Sequence, residues 1–290
     1  MQKPIQRTVS RLPSAQLLHA ALAALSLAAL SLFSPISSAQ TSSPLALDLV
    51  RSAVAAEVQA SHTDHSIWSY WDHDVTPSQD ALYFTIETPQ GTLRRMIRLN
   101  GRPLTPKQQQ AETNRIADFV NSPSEQAKAQ KNSAHDDAQA AQLLAMLPNA
   151  FLWTIVSQSP QQITLSFQPN PQFDPPSMEM RVMSAMAGQM IVVRHGHRIR
   201  SLCGRLTHNI LIGYGLLAKL YAGGTFDVER RQVGEGRWQI TQTHVHIGGH
   251  ALLFKTIGQQ EDEVKTGWKP STAQTLEQAA RALDTPPAYP

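Results

Sequence analysis

From residue 82 apolar side chains fall at every second position: Leu82, Phe84 and Ile86 are separated by Tyr83, Thr85 and Glu87. A period of two puts alternate side chains on opposite faces of a strand. Pro89-Gln90-Gly91 supplies turn residues. Leu93, Ile97 and Leu99 then resume the apolar face, while Thr92, Arg94 and Arg98 point the other way. The pattern predicts a β-hairpin with one wet face. Upstream, Leu45 to Val58 predicts a short amphipathic helix with Leu45, Leu49, Ser52 and Ala56 along one side. The stretch that follows, with His62, His65 and His73, has no clean period.

Beyond Asn100-Gly101 the pattern changes. Thr105 is a suitable N-cap, and Pro106 suits a first helical position. Residues 106–146 are rich in Gln, Ala, Lys and Glu, and Pro123 divides them into helices over roughly 106–120 and 124–146. Ala127 to Gln142 carries few large apolar residues, which predicts a solvated helix or a partly disordered one. After Leu147-Pro148 the period returns to two, first through Phe151, Trp153 and Ile155, then through Ile163, Leu165 and Phe167. A short Met-rich helix is expected over Ser177 to Ala187. Strands are expected at 188–194, 197–206, 208–213, 224–233, 237–247 and 251–265, with Gly196, Gly223-Gly224, Gly234-Glu235-Gly236 and Gly248-Gly249 between them. A last helix over 272–283 and a loose Pro-rich tail over 284–290 complete the chain. Strands, then helices, then a long run of closely spaced strands predict an α+β fold. Its antiparallel sheet is expected to be strongly curved, a half-barrel with helices packed on the concave side.

The N-terminus has a different composition. Lys3, Arg7 and Arg11 precede an apolar run from Leu17 to Phe33, and Ser37-Ser38-Ala39 offers small residues for a signal peptidase. This three-part pattern predicts a cleavable secretion signal at 1–39 and a protein that is periplasmic or secreted. A retained anchor is the alternative, for which the run is short. One domain is expected over 40–270, with a C-terminal tail over 271–290. The signal holds three of the 25 basic residues and none of the 22 acidic ones, so the remainder is formally neutral. That excludes the basic footprint of a nucleic-acid binder. The single cysteine, Cys203, excludes an intramolecular disulfide.

Catalytic patterns are missing from the sequence. It has no G-x-S-x-G elbow, no G-x-x-x-x-G-K-[ST] loop and no H-E-x-x-H pair. Cys203 reads as a small packed hydrophobe. Asp136-Asp137 and Glu261-Asp262-Glu263 read as solvated surface. His244 and His246, two apart on a strand, with His250 nearby and His195 and His197 around Gly196, leave a metal-binding alternative open. No acidic residue is expected in register with them, so no metal ligand is assigned and no cofactor is implied. Met178, Met180, Met183, Met186 and Met190 suit either an adaptable lid or an ordinary helix face. Among the strand aromatics, Phe84, Trp153, Phe167 and Phe254 belong to clean apolar faces and are the candidate walls of an apolar ligand cavity.

Residues 147–268 resemble an uncharacterised family of secreted bacterial proteins. The carrying motifs are Leu147-Pro148-Asn149-Ala150-Phe151 and Phe167-Gln168-Pro169-Asn170-Pro171-Gln172-Phe173-Asp174-Pro175-Pro176. They are followed by Ala185-Met186-Ala187-Gly188, Gly213-Tyr214-Gly215-Leu216-Leu217 and Leu252-Leu253-Phe254-Lys255, and preceded by Asn100-Gly101-Arg102-Pro103-Leu104-Thr105. That group is similar to the LolA-like superfamily of lipoprotein carriers, LolA and LolB. The resemblance implies a curved sheet closed by helices around an apolar cavity, and non-catalytic binding of an acyl chain or a lipidated partner. Peripheral membrane association is compatible with it. A structural or protein-interaction domain with a filled core is the other reading left open.

Overall fold

The computed structural model describes residues 41–212, 218–251 and 255–289, without the side chains of 251 and 255–259. The expected export signal at 1–39 and the candidate wall residue Phe254 lie outside the described residues.

The chain starts with helix α1 (Pro44–Thr63), followed by β1 (Trp68–Thr76), β2 (Gln79–Thr88), β3 (Gly91–Leu99) and the short β4 (Arg102–Pro103). Helices α2 (Pro106–Val120) and α3 (Pro123–Ala150) come next, then β5 (Phe151–Gln158), β6 (Gln162–Pro169), helix α4 (Met178–Ser184), β7 (Met186–Val193) and β8 (Ile199–Leu206). Short strands β9 (Ile210–Ile212) and β10 (Ala218–Leu220) lead to β11 (Thr225–Gly234), β12 (Arg237–Ala251), β13 (Lys255–Pro270) and helix α5 (Leu276–Leu283). The fold is α+β. Its antiparallel sheet of 13 strands runs in the order β4-β3-β2-β1-β13-β12-β11-β8-β7-β6-β5, with β10 paired to both β12 and β9. The path ends on β4 and β5, so the sheet is open among the described residues.

Local sequence explains the helix starts. Thr105 and Gln108 form a reciprocal capping box at α2, ahead of Pro106. Ser122 caps α3 through the Glu125 N–H, with Pro123 in its first turn, so Pro123 begins a second helix. Thr275 caps α5 at the Gln278 N–H, which delays that helix from the expected residue 272 to Leu276.

Cross-strand partners share a face of a sheet. One row of partners crosses the sheet from β1 to β5: Asp74, Glu263, Thr243, Val228, Leu202, Met190, Leu165 and Ile155. The adjacent row, on the opposite face, runs His73, Val264, Gln242, Glu229, Ser201, Ile191 and Thr164. The two hydrophobic clusters divide between these faces. On the first, Leu165, Phe167, Trp153, Met190 and Phe226 pack beneath Ala46, Val50 and Ala53 of α1 and Met146, Leu147 and Ala150 of α3. On the second, Trp71, Phe84, Ile86 and Leu93 pack beneath Ile116 of α2 and Leu276, Ala279 and Leu283 of α5. The expectation of all helices on one side is therefore corrected: α1 and the end of α3 cover one face, while α2 and α5 cover the other.

Two further expectations change. The hairpin of β2 and β3 does not have a simple wet face, because β2 is buried on both sides from Ala81 to Ile86. Helix α1 buries Ala46, Val50, Ala53 and Glu57 rather than the stripe through Leu45, and Leu45 is 59% exposed. Small side chains let the helix approach the sheet closely. Glu57 then becomes the anchor: it accepts from Arg198 Nε at 3.1 Å, Arg198 Nη2 at 2.9 Å and the Ile199 N–H at 2.8 Å, and it pairs with Arg230. Burial alone would raise its pKa, but these donors hold it below the usual carboxylate range.

Because the clusters occupy opposite faces, their energies should be separable. Leu165→Ala and Leu283→Ala, both at fully buried positions, should each cost about 2–5 kcal/mol. In urea melts the double variant should lose the sum of the two losses to within about 0.5 kcal/mol. A shortfall well beyond that margin would mean the two clusters share one packing unit.

Candidate functional site

The arm β4-β3-β2-β1 joins the rest of the sheet through the ladder between β1 and β13. That ladder is irregular. Ser69 pairs with Lys269 and Trp71 with Thr266, so Gly267 and Trp268 together oppose Tyr70. Gly267 has φ +66°, the left-handed conformation that favours glycine. The extra residue makes a β-bulge, which bends the strand and re-aims its side chains. It brings the Trp268 ring onto Tyr70, stacked at 4.2 Å.

A cleft of about 360 Å³ opens on the α5 face of this seam. Its floor is Trp71, Phe84 and Ile86, side chains that are otherwise closely packed, and Trp71 and Phe84 meet at 5.0 Å. Ala273 and Ala282 form a wall. The roof is the C-terminal tail through Thr285, Pro287 and Ala288, and the Tyr289 ring meets Trp71 edge-on at 5.3 Å. Arg95 holds the start of the tail through Asp284 at 2.7 Å. Past Asp284, residues 285–289 make no hydrogen bond among the described residues. The rim carries Ser69, Lys269, Ser271 and Thr272.

The other face of the same seam is polar and buried. Asp72, 4% exposed, lies between Tyr83 on β2 and Lys265 on β13. Asp74 lies opposite Glu263. Arg94 sits 4.3 Å over the Tyr83 ring, and Lys265 pairs with Glu263 at 2.9 Å. Asp72 Oδ1, Asp74 Oδ1 and Thr85 Oγ1 are buried without a hydrogen-bond partner. Burial first, and the Glu263 charge second, push Asp72 up to about 6. Burial likewise raises Asp74, with Glu261 adding to it. Glu87 rises through burial although it accepts the Trp68 N–H at 2.9 Å. The expectation that Glu261-Asp262-Glu263 is solvated surface is corrected for Glu263, which faces this cluster.

Other candidates fall elsewhere. Trp153 and Phe167, 0% and 2% exposed, are packed in the first cluster with rings 5.2 Å apart. Gly204 lies so close beneath Phe167 that an added Cβ would come within 3.3 Å of Phe167 and 2.6 Å of Phe226. They do not share a cavity with Phe84, which lies on the opposite face and does line the cleft. Met186 and Met190 are core residues, with Met180 and Met183 against the same core. Cys203 is half-buried, and burial raises its pKa. The expectation that no acid is in register with His244 and His246 is corrected. Asp262 faces His244 and meets His244 Nδ1 at 2.6 Å and His246 Nε2 at 3.0 Å, contacts that hold its carboxyl below the usual range. Ile86 was legible as a strand residue, but nothing in the sequence pattern marks Trp71, Lys269 or the tail as part of a site.

No protein-family model, curated protein or solved structure matches this chain.

Asp72 gives a pH test. Its folded pKa exceeds that of an unfolded aspartate, so the stabilisation from protonation is complete below about pH 4 and is lost as pH rises through 6. Asp72→Asn stays neutral throughout. Its stability relative to the parent should therefore rise between pH 4 and pH 7.5 by on the order of 2–3 kcal/mol in urea melts. A flat difference would show that Asp72 ionises as an ordinary aspartate.

Proposed function

We propose that this chain is an exported, non-catalytic envelope protein that binds one hydrocarbon chain, from a lipid or a lipidated partner, in the cleft above Trp71, Phe84 and Ile86. The observation that carries the reading is an apolar floor roofed by a tail, residues 285–289, that makes no hydrogen bond among the described residues. The cleft falls at the small end of the range of ligand sites, which are concave and mostly apolar with a few polar groups at fixed places. Burial would supply the affinity at about 0.8 kcal/mol per methylene, so eight buried methylenes contribute roughly 6 kcal/mol before ordering costs.

The LolA-like resemblance points the same way, with the site moved from the helix-covered interior expected from Trp153 and Phe167 to the seam. Curvature is supported by the reach of α3. Its Gln130 donates to the Gln90 carbonyl at the β2–β3 turn, and its last residue, Ala150, abuts β5. Those 20 residues span about 30 Å as a helix. From β3 to β5 the sheet takes nine strand steps, about 43 Å along its surface. A chord shorter than the arc calls for a bent sheet, and a half-barrel satisfies it.

A second reading, an interaction domain with a filled core, is favoured by the close packing around Trp153 and Phe167. Displacement of the neutral fluorophore N-phenyl-1-naphthylamine from the purified full chain separates the two. Saturable binding, relieved by single-chain alkyl compounds, is expected. Ala282→Trp, which adds bulk on the exposed wall of the cleft, should weaken it about tenfold or more, equivalent to 1.4 kcal/mol. Absence of saturable binding, or wild-type affinity in Ala282→Trp, would favour the interaction domain.

A further inference from the structure

The cleft is not electrically neutral. Among the described residues that line it, Lys269 is the one charged side chain, and no carboxylate is present. Lys269 has no ion-pair partner among the described residues. The register holds it at the mouth: Lys269 pairs with Ser69 across the seam, and Ser69 Oγ donates to the Lys269 carbonyl at 3.4 Å. Thr272 adds a hydroxyl at the same rim, with no hydrogen-bond partner among the described residues. The nearest acid on the tail, Asp284, is engaged by Arg95. An apolar floor whose edge carries an ammonium and a hydroxyl, neither with a partner among the described residues, matches an amphiphile with a negative head.

We infer that the cleft selects a single-chain anionic amphiphile, with its carboxylate or phosphate head at Lys269 and Thr272 and its chain on Trp71, Phe84 and Ile86. The inference rests on the cleft being the binding site. Hydrocarbon burial sets the affinity, and the lysine sets the preference among heads. Because Lys269 is solvent-exposed, its attraction is screened, and the preference is a matter of severalfold.

The test uses the full chain and four probes with the same twelve-carbon tail, below micelle formation: dodecanoate, dodecyl phosphate, dodecanol and dodecyltrimethylammonium. Each competes with N-phenyl-1-naphthylamine. Dodecanoate or dodecyl phosphate should bind about threefold tighter than dodecanol, and the ammonium more weakly still. The better of the two anions identifies the head. Lys269→Gln should bring the anions level with dodecanol, and Lys269→Glu should invert the order in favour of the ammonium. If both Lys269 variants keep the wild-type ranking while Ala282→Trp still weakens all four probes, the head-group inference is overturned and the cleft reading stands. If Ala282→Trp leaves every probe unaffected, the cleft reading fails and the inference falls with it.

Discussion

The ladder between β1 and β13 is the constraint on which the architecture depends. It pairs a segment near residue 70 with one near residue 268, and without it the arm of β1 to β4 has no strand connection to the other nine. Its ladder hydrogen bonds are made across that separation in sequence, so the seam closes late in any folding order dominated by local contacts. The bulge at Gly267 is part of the same constraint. An alanine there would need the left-handed backbone that glycine adopts freely, so the ring stack of Trp268 on Tyr70 depends on a residue with no side chain.

The two faces of the seam carry opposite physical chemistry. On the α5 face, apolar surface is covered by the chain's own tail and leaves a cleft. On the other, Asp72 and Asp74 lie beside Glu263, and burial together with neighbouring carboxylate charge raises the pKa of both aspartates. Only a strand buried on both sides places Trp71 and Asp72 one residue apart with such different surroundings. Protonation of Asp72 relieves the repulsion across the ladder that also forms the floor of the cleft. The stability of the site is therefore tied to the charge state of the face behind it.

The sequence pattern disclosed much of the sheet and little of the site. Strands β2, β3, β5 and β6 follow from alternation, and α2 and α3 follow from Thr105, Pro106 and Pro123. Strand β1 has no readable period because Tyr70, Trp71 and Asp72 are all buried, and an aspartate inside a strand imitates a wet position. The expected α1 stripe lies one position before the buried one, because close approach selects Ala46 and Ala53 and the pairing with Arg198 and Arg230 draws in Glu57. Phe84 alternates cleanly in the sequence and lines the cleft in the structure. Trp153 and Phe167 show equally clean alternation, yet α1 covers them. Whether a clean apolar face meets a helix or a cleft depends on partners distant in sequence, which periodicity does not encode. The division of the helices between two faces has the same origin, since it appears only when the register is followed across every strand.

On the proposed reading, the weak hold of the tail matters as much as the cleft beneath it. An edge-on pair such as Tyr289 with Trp71 is worth about 0.5–1.5 kcal/mol beyond its buried area. The exposed side of the Arg95–Asp284 pair limits that contact to a similar size or less. A hydrocarbon chain of eight methylenes, at about 6 kcal/mol before ordering costs, outweighs the ring contact, so it can displace residues 285–289. The same tail remains tethered at Asp284 and returns to the floor whenever the ligand leaves, which keeps Trp71, Phe84 and Ile86 from facing water as an aggregation-prone patch. A roof fixed by backbone hydrogen bonds would protect the floor equally well but would not yield to a ligand. Residues 285–289 make no such bonds among the described residues, which is what an exchangeable site needs.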